Sequence, residues 1–232
     1  MKLLVVGGAG YVGTIIRDAL ETEHICYHFD RRPVPGKARS IIGDVTDFAR
    51  VWEAVKGMDG VLYMPLASIP GTRRIEDKKL CFDVQALGLY HFLEAGLEQR
   101  VRRFYFTSTL NVYTGRQMSG REGPLTETMV PRCFIPYGLS KRVGEFIAEA
   151  ACQTYPKASV LAVRLCLPRQ EQDWRGVNEI MTGPNDVRRL FLAMLRFNRP
   201  GFHVANASGD LTGEKICHDG IHELIGWRPE GN

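Results

Sequence analysis

Lys2-Leu3-Leu4-Val5-Val6 runs without a break into Gly7-Gly8-Ala9-Gly10-Tyr11-Val12-Gly13. The apolar run reads as a buried strand. A glycine-rich turn between a strand and a helix lets backbone N–H groups approach a pyrophosphate that side chains would block. The spacing is Gly7-x-x-Gly10-x-x-Gly13, not the commoner G-x-G-x-x-G, and Gly8 leaves the loop no less permissive. Ile15, Ile16, Ala19 and Leu20 then give the next segment a helical apolar face. A second strand, residues 24–29, ends in Asp30, an acid placed to hydrogen-bond an adenosine ribose. Strand, loop, helix, strand and acid together predict a dinucleotide site. Asp30 favours NAD, because a carboxylate repels the 2′-phosphate of NADP; Arg31 and Arg32 beside it leave NADP open.

Outward from this unit, residues 40–42, 60–64, 103–107, 159–164 and 202–205 read as further strands. Helical periodicity alternates with them. One helix starts near Phe48, capped by Thr46 or Asp47, with Val51, Trp52 and Val55 facing inward. A second runs from about Asp77 to Glu98, a third from Gly138 to about Thr154, and a fourth from Asp186 to Phe197. Residues 114–136 lack periodicity and read as a long loop over the site. Alternating strands and helices predict an α/β fold, a Rossmann-type doubly wound parallel sheet. Residues 1–165 would form the dinucleotide-binding domain. Residues 166–232 would add a small substrate-side lobe, not an independent domain.

At 232 residues and 44% hydrophobic content the chain can bury a full core. Its net charge of +4, from 30 basic and 26 acidic residues that are interspersed, does not argue for nucleic acid. No run approaches transmembrane length and the opening apolar stretch is too short for a signal peptide, so no membrane partner and a cytoplasmic setting are expected. Six cysteines without a C-x-x-C pair fit reduced, mostly buried thiols. Cys217, His218 and His222 lack a fourth metal ligand, and the histidines read as a solvent-facing helix side.

The chemistry concentrates at Tyr137-Gly138-Leu139-Ser140-Lys141, a phenol and an ammonium four apart at the start of a helix and so on one face. A tyrosine is a poor base at neutral pH, and a nearby lysine charge favours its phenolate. Tyr137 could then exchange a proton with a substrate hydroxyl while a hydride moves to or from a nicotinamide. Thr109, at the polar end of the 103–107 strand, could hold the substrate oxygen, with Ser108 as the neighbour that could serve instead. Asn111 beyond it, and Ser68 where the chain leaves the 60–64 strand, are candidate substrate contacts.

The glycine loop, Asp30, Gly43-Asp44-Val45, the strand end Thr107 to Tyr113 and Tyr137-x-x-x-Lys141 together resemble the extended short-chain dehydrogenase/reductases, the NAD-dependent epimerase/dehydratase group. The resemblance covers residues 1 to 165, and more loosely Asn185-Asp186-Val187 and Gly226 to Pro229. It implies that Tyr137 is the acid/base, that Lys141 also holds the nicotinamide ribose, and that Thr109 is the Ser/Thr of the triad. Asp44 and Val45 would flank adenine, and Leu66 and Ala67 would line the cofactor. It departs from the group at Gln85, where Asn is usual, and after Arg164, where Leu165 to Gln170 replace a Gly-Pro turn. The small C-terminal part looks most like uronate dehydrogenases, which implies that Arg175, after Trp174, binds a sugar carboxylate; a guanidinium suits bidentate carboxylate binding. The length disfavours a nucleotide-diphosphate substrate. The resemblance therefore implies an NAD-dependent oxidoreductase, dimeric through the helix after Tyr137 and the long one before it, acting on a small sugar or sugar acid. An epimerase or dehydratase that returns the hydride, and a regulatory protein without turnover, are the alternatives.

Overall fold

The computed structural model describes residues 1–67, 74–176 and 180–231. Seven parallel strands form one sheet: β1 Lys2–Val6, β2 Ile25–Asp30, β3 Ser40–Ile42, β4 Gly60–Tyr63, β5 Arg103–Thr109, β6 Ser159–Leu165 and β7 Gly201–Ala207. Their spatial order is β3-β2-β1-β4-β5-β6-β7, so the order reverses between β1 and β4. A crevice opens at the carboxyl ends of the strands beside such a reversal, which sets the position of the site.

The alternation along each strand divides the core. Leu3 and Val5 point to one face, packing with Ile15, Ile16 and Leu20 of α1 (Tyr11–Glu21) and with Leu190, Phe191 and Met194 of α7 (Pro184–Leu195). Leu4 and Val6 point to the other, packing with Val51 and Val55 of α2 (Phe48–Val55), Phe92 and Leu93 of α4 (Gly88–Glu98) and Ala148 of α6 (Pro136–Thr154). Both faces are covered, which is why the strands read as continuous apolar runs. Asp47 caps α2 by accepting from the Arg50 N–H at 3.1 Å. Trp52, expected inside, is 39% exposed, and Ala54 takes the inward place.

The helix expected to run unbroken to Glu98 is three segments: α3 (Ile75–Phe82), a π-helical turn (Asp83–Leu87) and α4. The Tyr63 hydroxyl donates to the Val84 carbonyl within that turn, drawing it out of the regular ladder. Residues 114–136 contain a short helix, α5 (Gly115–Met118), whose capping box joins Thr114 and Gln117. Leu125 is bonded on both sides of Ile216, from Leu125 N to Lys215 O and from Cys217 N to Leu125 O. A third apolar cluster, Leu110, Val112, Tyr113, Leu125, Cys166 and Ile216, fills this small cap over the sheet edge. The cap therefore draws on both the middle and the end of the chain, while β7 and α7 from residues 166–232 complete the sheet and its cover.

His218, expected on a solvent face, is buried at the start of α8 (Asp219–Ile225), with Nε2 3.0 Å from Ser208 Oγ and its ring edge-on to Trp227. Burial pushes its pKa down to about 4. Cys26, Cys81, Cys152 and Cys166 are buried, and Cys133 and Cys217 partly exposed. Among the described residues no helix is long and apolar enough to cross a membrane.

Candidate active site

The glycine loop meets its three demands at separate residues. Gly7 has φ +86°, a left-handed conformation open to glycine, and its N–H donates to Phe29 O at 2.9 Å. Gly10 precedes α1 without a side-chain cap, leaving the first-turn N–H groups to whatever occupies the crevice. A Cβ on Gly13 would lie 2.5 Å from Gly8 O and 2.8 Å from Gly7 O, so only glycine lets the helix sit this close to the loop.

A cavity of about 600 Å³ opens over this loop. Every described residue expected to bind the dinucleotide except Lys141 lines it: Gly7, Gly10, Tyr11, Val12, Gly13, Asp30, Arg31, Asp44, Val45, Leu66 and Ala67. Arg32, weighed beside Arg31 for a 2′-phosphate, lines it too, with Ala9 and Gly43 of the quoted motifs; Phe29, Met64, Pro65 and Val84 were not anticipated. Val84, within the helix expected from Asp77 to Glu98, belongs instead to the π-helical turn Asp83–Leu87 and lines the crevice. Asp30 closes the β2 end on the loop: Oδ2 accepts from Ala9 N at 3.0 Å, while the Arg32 guanidinium donates to Ala9 O at 3.2 Å. Burial pushes the Asp44 carboxyl upward, but the Thr46 N–H and hydroxyl at 2.9 and 2.8 Å, with the Arg31 charge, hold it below the usual carboxylate value.

The second half of the site forms where α6 begins against the end of β5. A Cβ on Gly138 would run into the Asn111 carbonyl and the Cys133 sulfur, so the residue after Tyr137 must be small. Thr109 Oγ1 accepts from Asn111 N and Nδ2, both at 3.2 Å, and its hydroxyl, beside the Tyr137 phenol, works to lower the phenol pKa. Burial nonetheless raises the phenol pKa, outweighing the Thr109 hydrogen bond.

Lys141 is 2% exposed, and its ammonium donates to Thr107 O at 2.7 Å and Pro65 O at 3.2 Å, 4.9 Å from the Phe106 ring centroid. Burial lowers its pKa to about 7. The ammonium thus joins the ends of β4 and β5, and through Pro65 the rim of the cavity, instead of bonding Tyr137. The expected lysine effect on the phenol is not what dominates here; desolvation is.

Ser68 lies outside the described residues. Arg175 is exposed, and its guanidinium donates to Gln172 O at 2.6 Å and Trp174 O at 3.2 Å in its own loop. That loop crosses the first turn of α1: Tyr11 donates its hydroxyl proton to Asp173 Oδ2 at 2.5 Å and its Oη accepts from Gln170 N at 3.1 Å. At the unusual turn after Arg164, Leu167 takes φ +37°. Gln85 is buried in the π-helical turn; Oε1 accepts from Ser140, and Nε2 has no partner among the described residues.

The sequence profile of the NAD dependent epimerase/dehydratase family matches residues 3–172. A 3-beta-hydroxysteroid dehydrogenase of Mycolicibacterium neoaurum is 31% identical over 124 residues, 50% of this chain and 34% of that protein. A UDP-glucose 4-epimerase of Corynebacterium glutamicum is 34% identical over 151 residues, 61% of this chain and 44% of that protein. The matched stretch is less than half the length of either relative. A glucuronic acid dehydrogenase from Chromohalobacter salexigens superposes with a TM-score of 0.81 at 22% identity, covering 99% of this chain and 84% of that one, a likeness of fold. Profile, sheet order, glycine loop and the Tyr137–Lys141 helix agree: the chain belongs to the NAD dependent epimerase/dehydratase family.

Proposed function

We propose that this chain transfers a hydride between NAD and a secondary alcohol or lactol carbon of a small sugar or sugar acid. The observation that carries this reading is the convergence of Thr109, Tyr137 and Lys141 at the carboxyl ends of β4 and β5, with Lys141 bonded to the Pro65 rim of the crevice. The first-turn amides of α1 would hold the pyrophosphate, Asp30 and Arg31 the adenosine ribose, Asp44 and Val45 the adenine, and Leu66 and Ala67 the length of the cofactor. The bound dinucleotide supplies the hydride chemistry. Tyr137 moves the proton at the substrate oxygen, Thr109 and Asn111 orient that oxygen, and Lys141 reaches the nicotinamide ribose. Arg175 takes a sugar carboxylate by leaving its own carbonyl contacts, and Ser68 completes the substrate side.

Leu87, Tyr90, Leu139 and Phe146 are 41–54% exposed on the π-helical turn, α4 and α6, and support a homodimer built on these helices. A cytoplasmic setting accords with six thiols and no membrane-spanning helix among the described residues.

The test is to mix the protein with NAD and a panel of aldoses and uronic acids and follow NADH. The reading predicts net NADH with at least one member, and for an acid a higher KM in Arg175→Lys, because an ammonium cannot reproduce the paired hydrogen bonds of a guanidinium. Equal effects on acids and neutral sugars would remove the carboxylate role. The similarity to a UDP-glucose 4-epimerase favours a second reading, in which the hydride returns to the sugar. Product formation without net NADH would decide for it.

A further inference from the structure

Three successive residues at the end of β5 meet one face of α6. Lys141 Nζ donates to Thr107 O at 2.7 Å, Ser108 Oγ donates to Glu145 Oε1 at 2.7 Å, and Thr109 lies beside the Tyr137 phenol, whose pKa it works to lower. Tyr137, Lys141 and Glu145 are spaced i, i+4, i+8, so they line one side of the helix.

The three links differ in permanence. Lys141 is a point charge on a flexible stem, held by carbonyls, and its pKa of about 7 makes its charge change near neutrality. Thr109 and Tyr137 take part in the reaction proposed above. Glu145 is locked. Its carboxylate is fully buried and accepts from Arg164 Nε and Nη2, both at 2.8 Å, and from Arg142 Nη1 at 2.6 Å. Arg164 also donates to the Tyr113 hydroxyl, and the sheet register sets it directly beside Ser108. Burial pushes the Glu145 pKa up, but its arginine and Ser108 hydrogen bonds hold it below the usual carboxylate value, so the link keeps its charge at neutral pH.

We propose that Ser108 and Glu145 form a fixed pivot that holds the end of β5 against α6, keeping Thr109 beside the Tyr137 phenol when Lys141 exchanges its contacts. Both are positioning residues, and neither lines the crevice. Ser108 is engaged by Glu145, four residues beyond Lys141 and eight beyond Tyr137, so it acts on the phenol only through the backbone it anchors. Fixing Thr109 matters because its Oγ1 already accepts two bonds from Asn111, which leaves its hydroxyl proton for the phenolate. The inference rests on Tyr137 as the proton-transfer group.

The experiment places 3-fluorotyrosine at position 137 and titrates it by fluorine NMR in the NAD complex, in wild type, Ser108→Ala and Ser108→Thr. Ser108→Ala should raise the fluorophenol pKa by about half a unit or more, with NAD affinity kept within about twofold. Ser108→Thr, which restores the hydroxyl, should return the titration to the wild-type value. If Ser108→Ala does not fold, Ser108→Cys, of similar shape but a much weaker donor, takes its place with the same expectation. Where D-glucuronate is turned over, kcat should fall about tenfold with little change in KM. An unchanged titration in a folded variant, or a change that Ser108→Thr does not reverse, overturns the pivot. Unimpaired turnover in Tyr137→Phe overturns the catalytic reading instead, and the fluorine titration still decides the pivot.

Discussion

Gly13→Ala sets two physical effects against each other at one atom. Gly13 lies in the first turn of α1, where helix propensity alone favours alanine by about 1 kcal/mol. The added Cβ would stand 2.5 Å from Gly8 O and 2.8 Å from Gly7 O and Gly8 C, all backbone atoms that no rotamer change can move. Overpacking of this kind costs about 1–3 kcal/mol, so the apo protein should lose up to about 2 kcal/mol in spite of the propensity gain. The larger effect should fall on the cofactor, because relief requires the loop and helix to separate and turns the first-turn N–H groups off their common target. A tenfold loss of affinity is the least this displacement should cause, about 1.4 kcal/mol. Urea unfolding with and without NAD separates the two effects. At a concentration one hundred times the wild-type Kd, NAD should add about 2.7 kcal/mol to the wild type and no more than about 1.4 kcal/mol to the variant. A variant as stable as wild type that keeps the full NAD increment would refute the close-approach account of the glycine loop.

Two further outcomes are expected. The Lys141 pKa is depressed from 10.5 to about 7 in the folded protein, so between these values the unfolded chain binds the extra proton and stability rises with pH. Lys141→Met should flatten that rise, seen in urea unfolding at pH 7 and pH 9; an identical slope would mean that Lys141 is not the desolvated group. Wild type should bind NAD at least about tenfold more tightly than NADP, because Asp30 lines the crevice and Arg32 is engaged with Ala9 O. Titration of both at fixed ionic strength checks this, and tighter NADP binding would show that Arg31 or Arg32 governs the choice.

The strands were readable because each is an apolar run bounded by a polar or glycine punctuation, and all seven lie where the pattern places them. The glycine loop and Asp30 were readable because their chemistry is local: a strand, a turn and an acid within thirty residues. What the sequence hid depends on contacts distant in the chain. The break at Asp83–Leu87 follows from Tyr63 reaching the Val84 carbonyl, and no periodicity announces it. His218 looked solvated because its cover, Trp227 and Ser208, lies in other segments. Ser108 was readable as a polar strand end, but its engagement by Glu145 and Arg164 was not, since it joins β5, α6 and β6.

The phenol of Tyr137 carries the proposed proton transfer. Tyr137→Phe removes one hydroxyl from a half-buried ring, so folding and NAD affinity should stay close to wild type. Turnover of whichever sugar or sugar acid yields NADH should fall about a hundredfold or more, the scale of losing a positioned proton-transfer group. Measured side by side on the same protein, retained NAD binding with turnover lost at that scale is the predicted result; retained NAD binding with turnover unchanged would contradict it.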